Sequence, residues 1–488
     1  MDEIKPIFTY YLSDKQIDGF EKQYQFDKLW INTDARTPVD CAESAQLSVA
    51  IIGIAIDTNT GKQEGLASAL ANDCKSLEEV LQAEYHLGGK YLIYVSDKTN
   101  RYLFGDATCS IQICYTAGDG LFECASDPFI LARTRQLQPD EALLKIRESG
   151  DLAQAMPYDI TVFKEIRQLL PNHTLELQTG AVARYLYFDR EVAELSAKEA
   201  AVELAPRLLA TVKGFQSFFD LVIPITAGKD SRVVLAATYR ITPNVSTYTL
   251  KHKKHSDNAA DLVIAKQLTD HLGIRHEQYA DIEIPETLIR YFDTVFGKNC
   301  YSKNTLKIAA TVHCYFHDSA IVNGDIIGQI GKCSLHRDIP TRLATARYFR
   351  CKMHNFSKKA KTLTDDWIQE VRQSDEHMSI FDLFSIENRM GRWSAQNLSL
   401  YNYMGQPNIN FFNSRSIIGI LGRVPRKDRM TSAIHKELLR LLDERFLEIP
   451  FGEDDSRMMK WSKKNTTNFY LASFYKYYSD KFRHTVKR

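Results

Sequence analysis

The stretch from residue 221 to residue 232 constrains the fold of this 488-residue chain most strongly. An apolar run there ends in a short loop, and the loop and the polar residues after it are Thr226, Ala227, Gly228, Lys229, Asp230 and Ser231. A strand that leads through such a loop into a helix presents free N–H groups and the positive end of the helix dipole, which bind phosphate. Asp230 would repel bare phosphate, so its carboxylate indicates Mg²⁺ between the two. The sequence therefore predicts a site for a magnesium–ATP complex.

The spacing of this loop is not the Walker pattern, which places Lys directly before Ser or Thr. The loop instead resembles the Ser-Gly-Gly-x-Asp-Ser loop of enzymes that cleave ATP between its α and β phosphates. Thr226 stands for the serine, 227–228 for the two glycines, and 230–231 for the last two positions. An ordinary strand–turn–helix with one capping Asp or Ser is the alternative on these residues alone.

The residues after the loop extend the pattern. They predict a helix over 231–239, a strand over 245–250 and a helix that begins near Ser256 and ends at Gly273. This order is typical of a doubly wound nucleotide-binding sheet. It resembles the synthetase domain of the asparagine synthetase family, and the resemblance implies that the backbone after the second strand holds adenine. The residues at that place are Tyr248, Thr249 and Leu250.

A third landmark is the apolar run 319–322, which leads into Asn323, Gly324 and Asp325. It resembles the second substrate loop of the same family, and the resemblance implies that Asp325 is a second magnesium ligand. Ile326 stands where asparagine synthetases have a glutamate. The alternative is that Asn-Gly-Asp forms an ordinary turn.

Two later segments, 389–392 and 408–415, resemble further family motifs in the expected order. In similar enzymes a lysine from the C-terminal region stabilises the charge that develops in the reaction. The resemblance implies Lys460 as this catalytic residue, beside Asp230 and Asp325, with Lys463 and Lys464 as other candidates. A solvated run of charges is the alternative.

The first 190 residues are rich in alternating apolar and polar positions, as at 89–95 and 101–108, which predict strands. The segments 122–128 and 170–177 resemble motifs of a class II glutamine amidotransferase domain. Such a domain uses a cysteine directly after the initiator Met as its nucleophile. The first cysteine here is Cys41, so we expect no glutamine hydrolysis and a retained scaffold domain.

The predicted fold class is α/β with two domains. Residues 1–192 are expected to form a β-rich, glutaminase-like sandwich of the Ntn type. Residues 193–488 are expected to form a doubly wound parallel-sheet ATP-pyrophosphatase domain with a helical C-terminal part. Ser196 and Glu199 have the spacing of a capping box, which predicts a helix over 197–213.

A glutaminase-like domain without its cysteine, fused to a synthetase domain, resembles β-lactam synthetase, carbapenam synthetase and lasso-peptide cyclases. The resemblance implies an AMP-forming ligase that joins a small-molecule or peptide carboxylate to an amine, with ATP and Mg²⁺. One alternative is an amidotransferase that takes free ammonia or ammonia from a partner. Another is a non-catalytic nucleotide-binding scaffold, because Ala227 and Ile326 depart from the family motifs.

Composition agrees with a cytoplasmic enzyme. The net charge is +1, which favours no nucleic-acid partner. Nine scattered cysteines without a Cys-x-x-Cys pair fit a reducing compartment, and metal spacing for zinc is absent from the sequence. The longest apolar stretch, 47–56, is too short to cross a membrane, and the chain begins without a signal-like leader.

Overall fold

The computed structural model describes residues 4–116, 122–148, 155–185, 193–252, 256, 259–298, 300–317, 319–333, 339–374, 377–452, 461–462, 464 and 466–486. Its strands are β1 Tyr10–Ser13, β2 Lys22–Phe26, β3 Leu29–Thr33, β4 Val39–Glu43, β5 Ser48–Asp57, β6 Leu87–Ser96, β7 Arg101–Gly105, β8 Cys114–Thr116, β9 Glu123–Ala125, β10 Ile166–Gln168, β11 His173–Glu176, β12 Val182–Arg184, β13 Asp220–Pro224, β14 Ser246–Lys251, β15 His276–Ala280, β16 Ser319–Val322 and β17 Asn408–Ile409.

The α-helices are α1 Leu66–Asp73, α2 Leu77–Glu84, α3 Pro128–Arg135, α4 Glu141–Glu148, α5 Ala197–Gln216, α6 Lys229–Ile241, α7 Ala260–Leu272, α8 Glu286–Phe296, α9 Lys303–Phe316, α10 Asp325–Gln329, α11 Ala346–Met353, α12 Lys358–Gln373, α13 Ile380–Phe384, α14 Ala395–Tyr403, α15 Arg415–Arg423, α16 Arg426–Met430, α17 Ala433–Asp443 and α18 Thr466–Val486. A π-helix, Ser385–Ser394, joins α13 to α14, and two 3₁₀ turns cover Thr341–Leu343 and Glu444–Leu447.

Two antiparallel sheets of six strands occupy the N-terminal part. Their strand orders are β10-β8-β9-β1-β3-β2 and β12-β11-β7-β6-β5-β4. Alternate residues of a strand face opposite sides of its sheet. In β5, Ala50 and Ile52 pack with Leu12 of the other sheet, whereas Val49 and Ile51 pack with α1. The two sheets therefore share one apolar interior, and α1 covers the outer face of the second.

The C-terminal part contains a parallel sheet with the order β15-β14-β13-β16-β17. Ile223 of β13 packs in the same cluster as α5, α6 and α7, and Val222 packs on the other face with Val312 of α9. Helices therefore cover both faces of this sheet. The chain runs outward from β13 through β14 to β15 and then returns to the other side of β13 with β16, so the order reverses between β13 and β16. These observations confirm the α/β class.

Local sequence signals place several of these elements. Ser196 and Glu199 form the predicted capping box, and α5 follows it and continues to Gln216, three residues beyond the expected end. Gly273 ends α7 in the left-handed conformation, with a φ of 68°. The helix expected from residue 231 begins at Lys229 instead, because Gly228 is its N-cap with an extended backbone.

The two parts of the chain share a core. The largest cluster of buried apolar side chains includes Tyr10 and Leu92 from the antiparallel sheets and Phe411 and Leu438 from the C-terminal part. The predicted domain boundary follows residues 186–192, which lie outside the described residues. No helix in the described ranges is both long and apolar enough to cross a membrane.

Candidate functional site

The two loops predicted to carry the chemistry meet at the carboxyl ends of β13 and β16. These strands are neighbours in parallel register, with Val222 opposite Ile321. The backbone at Gly324 is so close to Asp230 that a Cβ there would lie 3.2 Å from the Asp230 Cβ. A Cβ on Gly328 would lie 3.0 Å from Asp230 Oδ2. Ligands of open α/β sheets bind where the strand order reverses, and both loops lie at that point.

The Asp230 carboxylate has two partners from distant parts of the chain. His435 Nε2 lies 2.8 Å from Asp230 Oδ1, and Lys332 Nζ lies 2.7 Å from the carboxylate. Burial opposes ionisation of Asp230, but the hydrogen bond to His435 and the charge of Lys332 bring its pKa below the usual value. Burial also lowers the pKa of His435, although the hydrogen bond to Asp230 opposes this effect.

Asp325 has different surroundings. Its side chain lines a cavity of about 350 Å³ together with Asn323, Asn408 and Lys90. The carboxylate makes no hydrogen bond or ion pair with a described residue. The surrounding protein raises the pKa of Asp325 by desolvation, Arg389 opposes this effect, and the charge of Asp230 adds to it. The site thus contains one carboxylate with partners and one that is open.

Residues 226–231 form what we call the phosphate-type loop, and its backbone N–H groups make hydrogen bonds within the protein. Thr226 N donates to Ser231 Oγ over 3.3 Å, and Gly228 N donates to Thr226 Oγ1 over 3.2 Å. Ala227 N donates to Asp261 Oδ1, 2.9 Å away at the start of α7. The loop N–H groups of these three residues therefore have acceptors within the protein. The donors left for an anion are those of the first turn of α6, whose N-cap has no side-chain acceptor.

A C-terminal segment, residues 446–452, holds this loop from outside. The buried Arg232 of α6 donates to Phe446 O, Ile449 O and Pro450 O at 3.1, 2.5 and 2.6 Å. Its guanidinium also lies over the Phe451 ring, 4.2 Å from the centroid. Gly452 N donates to Ala227 O over 3.0 Å. The segment is therefore fixed on the loop by charge-assisted hydrogen bonds.

One of the predicted lysines lies in this region. Lys229 lies in the first turn of α6, with its Nζ 5.3 Å from the centroid of the Phe451 ring. Lys460 and Lys463 lie outside the described residues, and Lys464 is exposed. The catalytic role of Lys460 therefore stays a prediction.

The predicted adenine contacts lie at the end of β14, beside the loop. Ile225 N donates to Tyr248 O over 2.8 Å, and Thr249 Oγ1 donates to Ile225 O over 2.6 Å. The Tyr248 ring is buried against Phe316. The side chains of Tyr248 and Thr249 therefore make their contacts within the protein, and Leu250 is half-buried. The structure brings this strand end next to the loop, while adenine binding there stays a prediction.

The carboxylates fit a magnesium ion. Mg²⁺ in nucleotide enzymes is commonly held by one or two carboxylates plus phosphate oxygens and water. Asp325 has both oxygens open, and Asp230 has lone pairs beyond those that face Lys332 and His435. Within the described ranges, no group of three or more His, Cys, Asp and Glu residues has a geometry that could hold a metal alone. A metal here would therefore need the phosphates of its nucleotide.

Sequence reasoning did not identify Lys332 or His435 as part of the site. They lie 102 and 205 residues from Asp230 along the chain, and neither stands in a motif that predicts a contact with it. Arg389 belongs to a segment that resembles the family, but its charge on Asp325 was not expected. The Arg232 side chain follows the loop directly, and its position one turn into α6 is the local signal that could have indicated its role.

Comparisons with known proteins find similarity to solved structures alone, and that similarity is weak. No family model and no curated protein sequence matches the chain. Among solved structures, NMN synthetase from Francisella tularensis is 13% identical over 39% of this chain and 78% of that chain, with a TM-score of 0.20.

Two further solved structures are similar at the same level. Glutamine-dependent NAD⁺ synthetase from Acinetobacter baumannii, in complex with ADP, is 11% identical over 49% of this chain and 51% of that chain, with a TM-score of 0.22. Glutamine phosphoribosylpyrophosphate amidotransferase from B. subtilis, complexed with ADP and GMP, is 11% identical over 64% and 68%, with a TM-score of 0.20. TM-scores this low carry no argument, so the functional argument rests on the geometry of the site.

Proposed function

We propose that this protein is an ATP-dependent, AMP-forming ligase that joins a carboxylate to an amine without glutamine hydrolysis. The observation that carries the proposal is the meeting of two acidic loops at the reversal point of a parallel sheet. Asp230 packs against the backbone of Gly324 and Gly328, and Asp325 follows directly in the same loop. A single capping acid would account for one of these residues but not for two acids that follow adjacent strands.

The proposed reaction has two steps. A carboxylate oxygen of the substrate attacks the α-phosphorus of ATP, the bond from that phosphorus to the bridging oxygen breaks, and pyrophosphate leaves. The amine nitrogen then attacks the acyl carbon, AMP leaves with the carboxylate oxygen, and the amine loses a proton. The products are an amide, AMP and pyrophosphate.

The residues of the site have separate proposed roles. The N–H groups in the first turn of α6 bind phosphate oxygens and stabilise the charge of the leaving pyrophosphate. Asp230 and Asp325 would hold Mg²⁺, which supplies positive charge against the phosphates when it is bound. Lys332 and His435 fix the orientation of Asp230. We propose Lys460 as the cation at the acyl carbon, because it follows in sequence after Gly452, which is bonded to Ala227 of the loop.

The two domains are likewise proposals. The antiparallel sheets share an interior as in a sandwich, which supports the glutaminase-like domain over residues 1–192. The parallel sheet with helices on both faces supports the ATP-pyrophosphatase domain over 193–488. We also propose that the enzyme is cytoplasmic.

The loop hydrogen bonds favour one second candidate. Because Thr226, Ala227 and Gly228 direct their N–H groups to protein acceptors, a nucleotide-binding scaffold without turnover would also fit this loop.

One experiment separates the candidates. The protein is incubated with ATP, Mg²⁺ and pools of carboxylates and amines, with one reaction that contains ammonium as the sole amine. AMP that depends on a pool and is lost in Asp230→Asn supports the ligase, and fractionation of the pool then identifies the substrate. AMP in the ammonium reaction alone indicates the amidotransferase. Nucleotide binding without AMP under every condition supports the scaffold and contradicts the proposal.

A further inference from the structure

A second cavity lies beside the π-helix 385–394 and contains polar groups that no described residue satisfies. It has a volume of about 480 Å³, and its wall includes Asn388, Arg389 and Trp393. A π-helix is uncommon and is found mostly as short segments at functional sites. Its i to i+5 spacing places Asn388 and Trp393 on the same wall.

Asn388 is the first unsatisfied group. The residue is 6% exposed, and neither its Nδ2 nor its Oδ1 has a hydrogen-bond partner among the described residues. A buried primary amide without partners destabilises the folded state, and the great majority of buried polar side-chain atoms are paired. An amide in a cavity wall that offers both a donor and an acceptor is complementary to a secondary amide of a ligand.

Arg389 is the second unsatisfied group. No hydrogen bond or ion pair joins its guanidinium to any part of the chain that the structure describes, and its Nε is buried without a partner. The guanidinium lies over the Trp393 ring, 4.9 Å from the centroid. A planar guanidinium without such a partner is suited to bind a carboxylate with two parallel hydrogen bonds.

The other walls define the rest of the ligand. Met156, Phe384 and Trp393 give apolar and aromatic surface. Lys352 also lines the cavity, but its ammonium is directed to Ser473 Oγ, 2.8 Å away, and lies over the Phe469 ring. Met390, the residue after Arg389 in the π-helix, lines the cavity that contains Asp325, so a carboxylate held by Arg389 would lie beside the proposed site of reaction.

We infer that this cavity binds the acid substrate, and that the substrate is a peptide or an N-acylated amino acid with an apolar side chain. Its carboxylate pairs with Arg389, its neighbouring amide pairs with Asn388, and its side chain packs on Phe384 and Trp393. The inference rests on the proposed function, because it names the carboxylate of that reaction.

The test measures binding of N-acetyl-L-phenylalanine to the full chain by calorimetry. We expect a dissociation constant of about 1 mM, which is reasonable for so small a ligand. N-acetyl-L-phenylalaninamide lacks the carboxylate and 3-phenylpropanoate lacks the amide, so each should bind about tenfold more weakly or worse. Arg389→Gln should cause a similar loss, whereas Arg290→Gln, at an exposed arginine, should not. Equal binding of the acid and its amide, or no binding of the acid, would overturn the inference.

A second variant separates binding from folding. Asn388→Leu has a similar shape and removes two unpaired buried atoms, so its melting temperature should equal or exceed that of the wild type while binding of N-acetyl-L-phenylalanine is lost. A marked fall in melting temperature would show that the amide has a structural partner and would contradict the inference.

Nucleotide binding, measured in parallel with α,β-methylene ATP, distinguishes the two proposals. If the acid binds through Arg389 and the nucleotide does not bind, the proposed function fails and the pocket stands. If the nucleotide binds in an Asp230-dependent manner and the acid does not bind, the pocket fails alone.

Discussion

At the residue scale, two side chains from distant parts of the chain meet at Asp230. Lys332 and His435 contact its carboxylate, and the glycines at 324 and 328 let the neighbouring backbone come close to it. The sequence predicts the position of Asp230, because an acid after a strand and a small loop is a local pattern. It does not predict the contacts with Lys332 and His435, since contacts over 100 to 200 residues depend on the packing of the whole C-terminal part.

Gly328→Ala tests the close approach at Asp230. The new methyl group would lie 3.0 Å from Oδ2 and 3.3 Å from Cγ, so the carboxylate would have to move. We expect AMP formation to fall about tenfold to a hundredfold, because small displacements of reacting groups have effects of that size. In an Asp230→Asn background the same change should have little further effect. Equal losses in both backgrounds would contradict a role through Asp230.

A pH effect is expected from His276 at the end of the parallel sheet. Its ring lies between Thr247 Oγ1 at 3.0 Å and Thr249 Oγ1 at 3.4 Å, and burial lowers its pKa from 6.5 to about 4. Between these values the unfolded chain binds the proton more readily than the folded one. The contribution of His276 to stability is therefore complete above pH 6.5 and is lost as the pH falls toward 4.

Urea unfolding at pH 7.5, 6.5, 5.5 and 4.5 measures this effect. His276→Gln should reduce the loss of stability across that range, and His377→Gln, at an exposed histidine, should leave it unchanged. An identical pH dependence for wild type and His276→Gln would contradict the assignment.

At the element scale, the helix α6 links the loop to the C-terminal segment 446–452. Elements with strong local signals were predictable, as the capping box at Ser196 and the glycine end of α7 show. The sequence predicts the start of α6 two residues late, because Asp230 and Ser231 resemble capping residues. The N-cap is Gly228, which has an extended backbone. No side chain in the sequence indicates this cap.

Arg232→Met tests the link between α6 and this segment. The change removes a buried guanidinium from three backbone carbonyls, and we expect a loss of about 3 kcal/mol in the free energy of unfolding. The loop should also lose its support, so AMP formation should fall. Arg240→Met, at an exposed position of the same helix, should change stability by less than about 0.5 kcal/mol. Similar values for the two variants in denaturant unfolding would contradict the proposed link.

At the scale of the whole molecule, buried polar contacts join the antiparallel sheets to the C-terminal part. Arg415 Nε lies 2.7 Å from Glu84 Oε2, and both side chains are almost fully buried. The same guanidinium donates to Asn172 Oδ1 over 3.1 Å. The α/β class and the order of the elements followed from periodic patterns in the sequence. The sequence did not predict the shared interior, because no local pattern indicates which faces of two predicted domains will pack together.

Calorimetry tests whether the two parts unfold together. Because they share the largest apolar cluster, the wild type should give one cooperative transition. Arg415→Met leaves Glu84 buried without its cation and should cost about 3 to 5 kcal/mol, which lowers the transition temperature while the transition stays single. Arg290→Met, at an exposed ion pair, is the matched control. Two separate transitions in the wild type would contradict a shared core.

The proposed function requires that the loops of Asp230 and Asp325 hold ATP for cleavage between its α and β phosphates. The most direct measurement incubates the protein and substrate pools with ATP labelled in the α-phosphate and separates labelled AMP from labelled ADP. We expect AMP as the product and a fall of about a hundredfold or more in Asp230→Asn, because that acid would hold the Mg²⁺ that offsets the charge of the leaving pyrophosphate. Labelled ADP in place of AMP, or AMP formation that Asp230→Asn leaves unchanged, would contradict it.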